Sequence, residues 1–149
     1  MPSINVRTAD ALNSLLRGEL AAAETYAQAI RKASGGHDDE IARGLVRLHD
    51  RHVDAASLLR QVVSVKHEVP ASSSGAWGTF AKAVEGTATL LGNAAAIKVL
   101  LEGEEHGAKE YQRILEFEDL DPGARILLSQ LHAEQKDHPR EVERLLRRT

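Results

Sequence analysis

The chain has 149 residues, 42% of them hydrophobic and 28% charged, with a formal net charge of −3, which suits one globular domain over residues 1–149 with a sizeable core of its own. Cysteine is absent, so disulfides, thiolate metal sites and cysteine nucleophiles are excluded, and the slightly acidic balance argues against a nucleic-acid partner. No stretch approaches the ~18 uninterrupted apolar residues of a membrane span, and the N-terminus lacks a basic region followed by an apolar run; a soluble, cytoplasmic protein with no membrane partner is expected.

Aromatic residues make up only 3% of the chain, and the abundance of Ala and Leu favours helix. A first helix is expected to start near Thr8 or Asp10, either of which can cap it, and to stop at Ser34-Gly35-Gly36. A second opens at His37-Asp38-Asp39-Glu40, acidic in its first turn as the helix dipole prefers, and runs to about His67 before Val69-Pro70 ends it. Ala71-Ser72-Ser73-Ser74-Gly75 reads as a flexible loop. A third helical region follows from Trp77 to about Glu118, divided by Gly86 and Gly92. Leu120-Asp121-Pro122-Gly123 is a turn, with Asp121 a cap and Pro122 suited to a first helical position. The last helix runs to a basic end at Arg144, Arg147 and Arg148, which complements the C-terminal dipole. Pro139 disturbs it: either a kink aims His138 inward, or the segment is two shorter helices and Pro139 opens the second. The sum is an all-α, antiparallel four-helix bundle with one longer crossover between helices two and three.

At about 100° per residue, the face of the first helix that carries Glu19 also holds Leu12, Leu15, Leu16, Ala22, Ala23, Tyr26 and Ile30. A core-facing stripe normally stays apolar, so Glu19 needs a partner. The other helices repeat the intrusion. His52 sits among Ile41, Leu45, Leu48, Ala55, Ala56, Leu59 and Val63. Glu104 sits among Ile97, Leu100, Leu101, Gly107, Ala108, Tyr111 and Leu115, and His138 among Leu127, Leu131, Val142 and Leu145. Each helix thus carries one metal-capable side chain within its apolar stripe.

Their depths agree. Glu19 lies 17 residues before Gly36 and His52 lies 16 after it, while Glu104 and His138 each lie 17 from Asp121. With a rise of about 1.5 Å per residue, residues equally far from a tight turn share a level, so the four are expected in one mid-bundle layer. A weak repeat points the same way: LLRGELAAAETY in the first helix answers LLEGEEHGAKEY in the third, both with a tyrosine seven residues after the glutamate. A duplicated helix hairpin would produce this.

On these residues and their helix order the chain resembles the ferritin-like superfamily, most closely a bacterial branch of ferritin-like domains of unknown function. The resemblance implies a metal site in the bundle core, for iron or another divalent transition metal. Dinuclear iron members place one Glu on each of two helices and a Glu-x-x-His on each of the others. Glu19 and Glu104 match the lone glutamates, and Tyr26 resembles the tyrosine one heptad beyond the first ligand. Against the paired motif stand His49-x-x-His52 and Gln135-x-x-His138, in which both expected glutamates are replaced. Glu134, four residues before His138, is placed to reach in from the preceding turn.

The expected ligands are therefore Glu19, His52, Glu104 and His138, with Glu134, Gln135 and His49 as auxiliaries. A single ion, a nitrogen-rich dinuclear site and a metal-free layer all stay open, because imidazole suits zinc, copper, iron and nickel alike. Two functions follow. One is a ferritin-like metal protein with redox or metal-stress chemistry in its core. The other is a non-catalytic bundle acting by association, whose Glu/His layer is held by hydrogen bonds alone. A homodimer through exposed helix faces is expected under either. His37 and His67 are expected at the surface, and His106 and His132 off the central stripe.

Overall fold

A computed structural model describes residues 6–33, 39–65 and 93–149 of the chain. Five helices run through them: α1 (Val6–Ala33), α2 (Asp39–Val65), α3 (Asn93–Leu115), α4 (Pro122–Gln135) and α5 (His138–Arg147). No strand occurs among the described residues. The helices form a compact bundle in which α4 and α5 together take the place of a fourth long helix. The turn at Ser34-Gly35-Gly36, the loop at 71–75, the crossover, His37, His67 and the part of the third helical region expected from Trp77 to Gly92 lie outside the described residues.

Two apolar clusters fill the bundle. One gathers Leu12, Leu16, Leu59, Val63, Ile114 and Leu128, joining early α1 to late α2, late α3 and α4. The other gathers Tyr26, Leu45, Leu48, Leu100, Val142 and Leu145, joining late α1 to early α2, mid α3 and α5. Early α1 meeting late α2, and late α1 meeting early α2, means that these two helices run in opposite directions. The same reasoning sets α3 against α4 and α5. All seven apolar neighbours expected beside His52 are buried; on α1, Ala22, Ala23 and Ile30 are only half-buried.

Local chemistry explains the ends around α4. Asp121 caps α4 by accepting a 3.0 Å hydrogen bond from the Gly123 amide, with Pro122 in the first turn; there proline's missing N–H costs nothing. Thr8 and Asp10 do not cap α1, which already includes Val6. Thr8 is instead buried and its hydroxyl accepts from the Asp121 amide at 3.4 Å, tying α1 to the start of α4. The last expected helix is two helices. Pro139 stands in the first turn of α5, where it cannot supply the bond that would continue α4. The Asp137 amide reaches back only to Glu134, at 3.1 Å, a tightened turn that closes the first helix.

α2 and α5 approach closely at Gly44, where an added Cβ would collide with the Leu145 side chain. Space, not backbone angle, favours glycine there, since any larger residue would make the Leu145 side chain shift. This contact seats α5, and hence His138, against α2.

Candidate functional site

The polar layer lies between the two apolar clusters. Glu19, His52, Glu104, Gln135 and His138 are each at most 6% exposed. His52 occupies the centre: its Nδ1 is 2.6 Å from Glu19 Oε2 and its Nε2 is 2.7 Å from Glu104 Oε1. An ionised carboxylate only accepts hydrogen bonds, so both ring nitrogens donate and His52 is an imidazolium. The Tyr111 hydroxyl donates to Glu19 Oε1 at 2.6 Å, and the Tyr26 hydroxyl donates to Glu104 Oε1 at 2.6 Å. The result is a buried chain, Tyr111–Glu19–His52–Glu104–Tyr26.

The two tyrosines cross over. Tyr26 of α1 serves the glutamate of α3, and Tyr111 of α3 serves the glutamate of α1. Seven residues forward on α1 therefore match seven residues back on α3, which sets these helices in opposite directions too. Each repeat of the glutamate–tyrosine pattern completes the other, a use that the spacing within one helix does not disclose.

Glu104 gathers further partners from the last two helices. Gln135 Nε2 donates to Glu104 Oε2 at 2.6 Å and to the Glu104 backbone oxygen at 3.0 Å. His138 Nδ1 lies 3.1 Å from the same Oε2. Gly107 makes room for the glutamine, since a Cβ there would sit 3.0 Å from Gln135 Nε2. Tyr26 stacks on the His52 ring at 5.4 Å between centroids, and His138 meets it edge-on at 4.9 Å.

The electrostatics follow from this packing. Burial alone would lower the His52 pKa, but the charges of Glu104 and Glu19 and their hydrogen bonds outweigh it and raise it to about 10. Burial alone would raise Glu104; the His52 charge and hydrogen bonds from His138 and His52 instead hold it well below the usual carboxylate range. Burial, then the neighbouring carboxylates, push both tyrosines well above their ordinary value, so they stay neutral donors.

One atom is left over. His138 Nε2 is buried and has no hydrogen-bond partner among the described residues, an omission that costs about 1–3 kcal/mol. His52, Glu104 and His138 also offer one ligand atom each within 4.8 Å of one another. These three form the one group among the described residues that could hold a metal ion.

The model of a family described as a domain of unknown function, DUF2383, matches residues 7–117. The chain belongs to that family. The DUF2383 match takes in Glu19, Tyr26, His52, Glu104 and Tyr111, and ends before Gln135 and His138. No curated protein and no solved structure matches the chain.

The expected auxiliaries separate. Gln135 joins the layer. Glu134 does not: its side chain is exposed, because the residue beside it, Gln135, takes the inward position and α4 ends there. His49 is half-buried on the flank of α2 and pairs with Asp50 at 3.1 Å instead of facing inward. His106 is exposed, and His132 is half-buried, with burial and nearby Lys136 lowering its pKa. Among the described residues no helix is long and apolar enough to cross a membrane.

Proposed function

We propose that the bundle core binds a divalent transition metal, iron foremost, through His52, Glu104 and His138, and that the protein is a ferritin-like metal protein. The observation that carries this reading is the buried meeting of two imidazoles and a carboxylate within 4.8 Å. Such a donor set suits iron, zinc and related ions. The surroundings support it. Glu19 accepts from His52 Nδ1, which would fix the ring so that Nε2 faces the ion, as carboxylate partners of metal-bound histidines commonly do. Tyr26 and Gln135 hold the Glu104 carboxylate, and the orphaned His138 nitrogen marks a corner that the described residues leave unfinished.

Bound iron would supply one-electron redox chemistry, and bound zinc a Lewis acid. The chain's own residues would orient the ligands and, with apolar clusters on both sides, keep bulk water from the layer. Metal would also displace a proton from His52, because an imidazolium has no free lone pair to offer.

A second reading has its own support. All four carboxylate oxygens of Glu19 and Glu104 already accept a hydrogen bond from a protein group. A metal-free layer of this kind would serve a bundle that acts by association. Elemental analysis decides between the two, on protein purified without chelator and again after anaerobic incubation with ferrous iron, zinc or manganese. The metal reading expects stoichiometric metal that is lost in folded His52→Ala and Glu104→Ala variants and kept in Glu134→Ala and His49→Ala. Protein that stays empty with every ion would leave the hydrogen-bonded layer.

A further inference from the structure

We infer that an ion held by His52, Glu104 and His138 keeps a coordination position facing the cavity between α1 and α3, and takes up there a small exogenous ligand of two or three atoms. This rests on the metal reading above and adds where the ion meets its substrate.

Three protein ligands leave an ion short of its usual four to six. Among the described residues no further ligand is at hand. Glu19 is engaged by Tyr111 and His52, and the Gln135 amide nitrogen, a donor, is committed to Glu104. Two histidines and one carboxylate are the set that leaves positions open at non-haem iron and catalytic zinc. The remaining position is therefore one that no described side chain fills, and an exogenous ligand can take it.

The space for that ligand lies on one side. A partly enclosed cavity of about 60 Å³ separates α1 from α3 and is bordered by His52 and Glu104, two of the three ligands. Most of its wall is small or apolar, as at Gly18, Ala22, Val99 and Leu100, although Ser14, Thr25 and Glu110 also border it. A water needs about 10–15 Å³ of such space, so the cavity admits a few small molecules and no metabolite-sized one. The larger cleft of about 450 Å³ between α2 and α5 touches only His138 of the three and is lined by charged Arg47, Arg51, Glu141 and Arg144. The apolar walls of the first cavity favour a small neutral or singly charged ligand, since burying a charge without partners is costly.

The test uses the full chain loaded with cobalt(II), whose visible absorption reports its coordination, titrated with azide. The wild-type protein and Ala22→Ser are expected to respond to azide. Ala22→Leu and Val99→Phe, which fill the cavity from opposite walls, are expected to bind cobalt in unchanged amount and to lose the azide response. Bound cobalt that ignores azide in the wild type overturns the open position while the metal reading stands. An azide response that survives in both filled variants, shown folded by circular dichroism, overturns the cavity as its place. A chain that takes up no cobalt ends both readings.

Discussion

Glu19 and Glu104 occupy equivalent places in a repeated pattern, each following a glycine and each preceding a tyrosine by seven residues, yet their surroundings differ. Glu19 has two partners, Tyr111 and His52. Glu104 has four, because Gln135 and His138 reach it from the two short helices that close the bundle. The α1 half is a simple hydrogen-bonded pair; the α3 half is a convergence point. A sequence repeat supplied symmetric carboxylates, and asymmetric packing made one of them the candidate ligand and the other its support.

The comparison can be broken most severely at Glu104. Glu104→Ala leaves the His52 imidazolium short of one carboxylate and strips the Tyr26, Gln135 and His138 donors, a loss of about 3–5 kcal/mol on the scale of broken buried ion pairs. Glu19→Ala leaves His52 still paired to Glu104 and is expected to cost less. Urea unfolding in the presence of chelator measures both; equal losses would mean that the extra partners of Glu104 contribute nothing.

Protons sharpen the same contrast. His52 is raised from 6.5 to about 10 on folding, so its contribution to stability is fully present below about pH 6.5 and fades as pH climbs toward 10. Glu104 is lowered from its ordinary 4.5, so its contribution is present above that value and is lost on acidification. Chelated protein should be most stable between about pH 4.5 and 6.5 and melt at progressively lower temperature from pH 7 to 10. An ion bound as proposed would compete with a proton for His52, so the stabilisation by added metal should grow over that same alkaline range. Thermal melts with and without metal across pH 4 to 10 check both trends, and a flat chelated profile above pH 7 would contradict the imidazolium.

The smallest effect separates the tyrosines. Tyr111 is the one donor to Glu19 Oε1 among the described groups, whereas Tyr26 shares Glu104 Oε1 with His52. A hydrogen bond to a charged group contributes about 1.5–3 kcal/mol. Tyr111→Phe is therefore expected toward the upper end and Tyr26→Phe toward the lower. A larger loss for Tyr26→Phe would reverse the assignment of Glu104 as the better-supported carboxylate.

Much of this site was legible before any coordinates, because helical periodicity turns a charged residue in an apolar stripe into a visible anomaly. Glu19, His52, Glu104 and His138 each broke a stripe, and equal distances from the turns placed them at one level. The all-helical bundle was legible for the same reason: its core positions recur with the period of the helix. Glu134 was misjudged because spacing of four residues assumes that the helix continues, and α4 stops at Gln135 before α5 begins at His138. A break of two residues re-aims everything after it.

What the amino-acid order determined by itself is the set of helices and the faces they bury, since both depend on local propensity and on periodicity along one helix. What only the tertiary structure decided is pairing: that Tyr26 serves Glu104 while Tyr111 serves Glu19, that Gln135 turns inward in place of Glu134, and that one His138 nitrogen has no partner among the described residues. Those choices depend on the register and close approach of neighbouring helices, set by contacts such as Leu145 against Gly44, and no single helix carries that information.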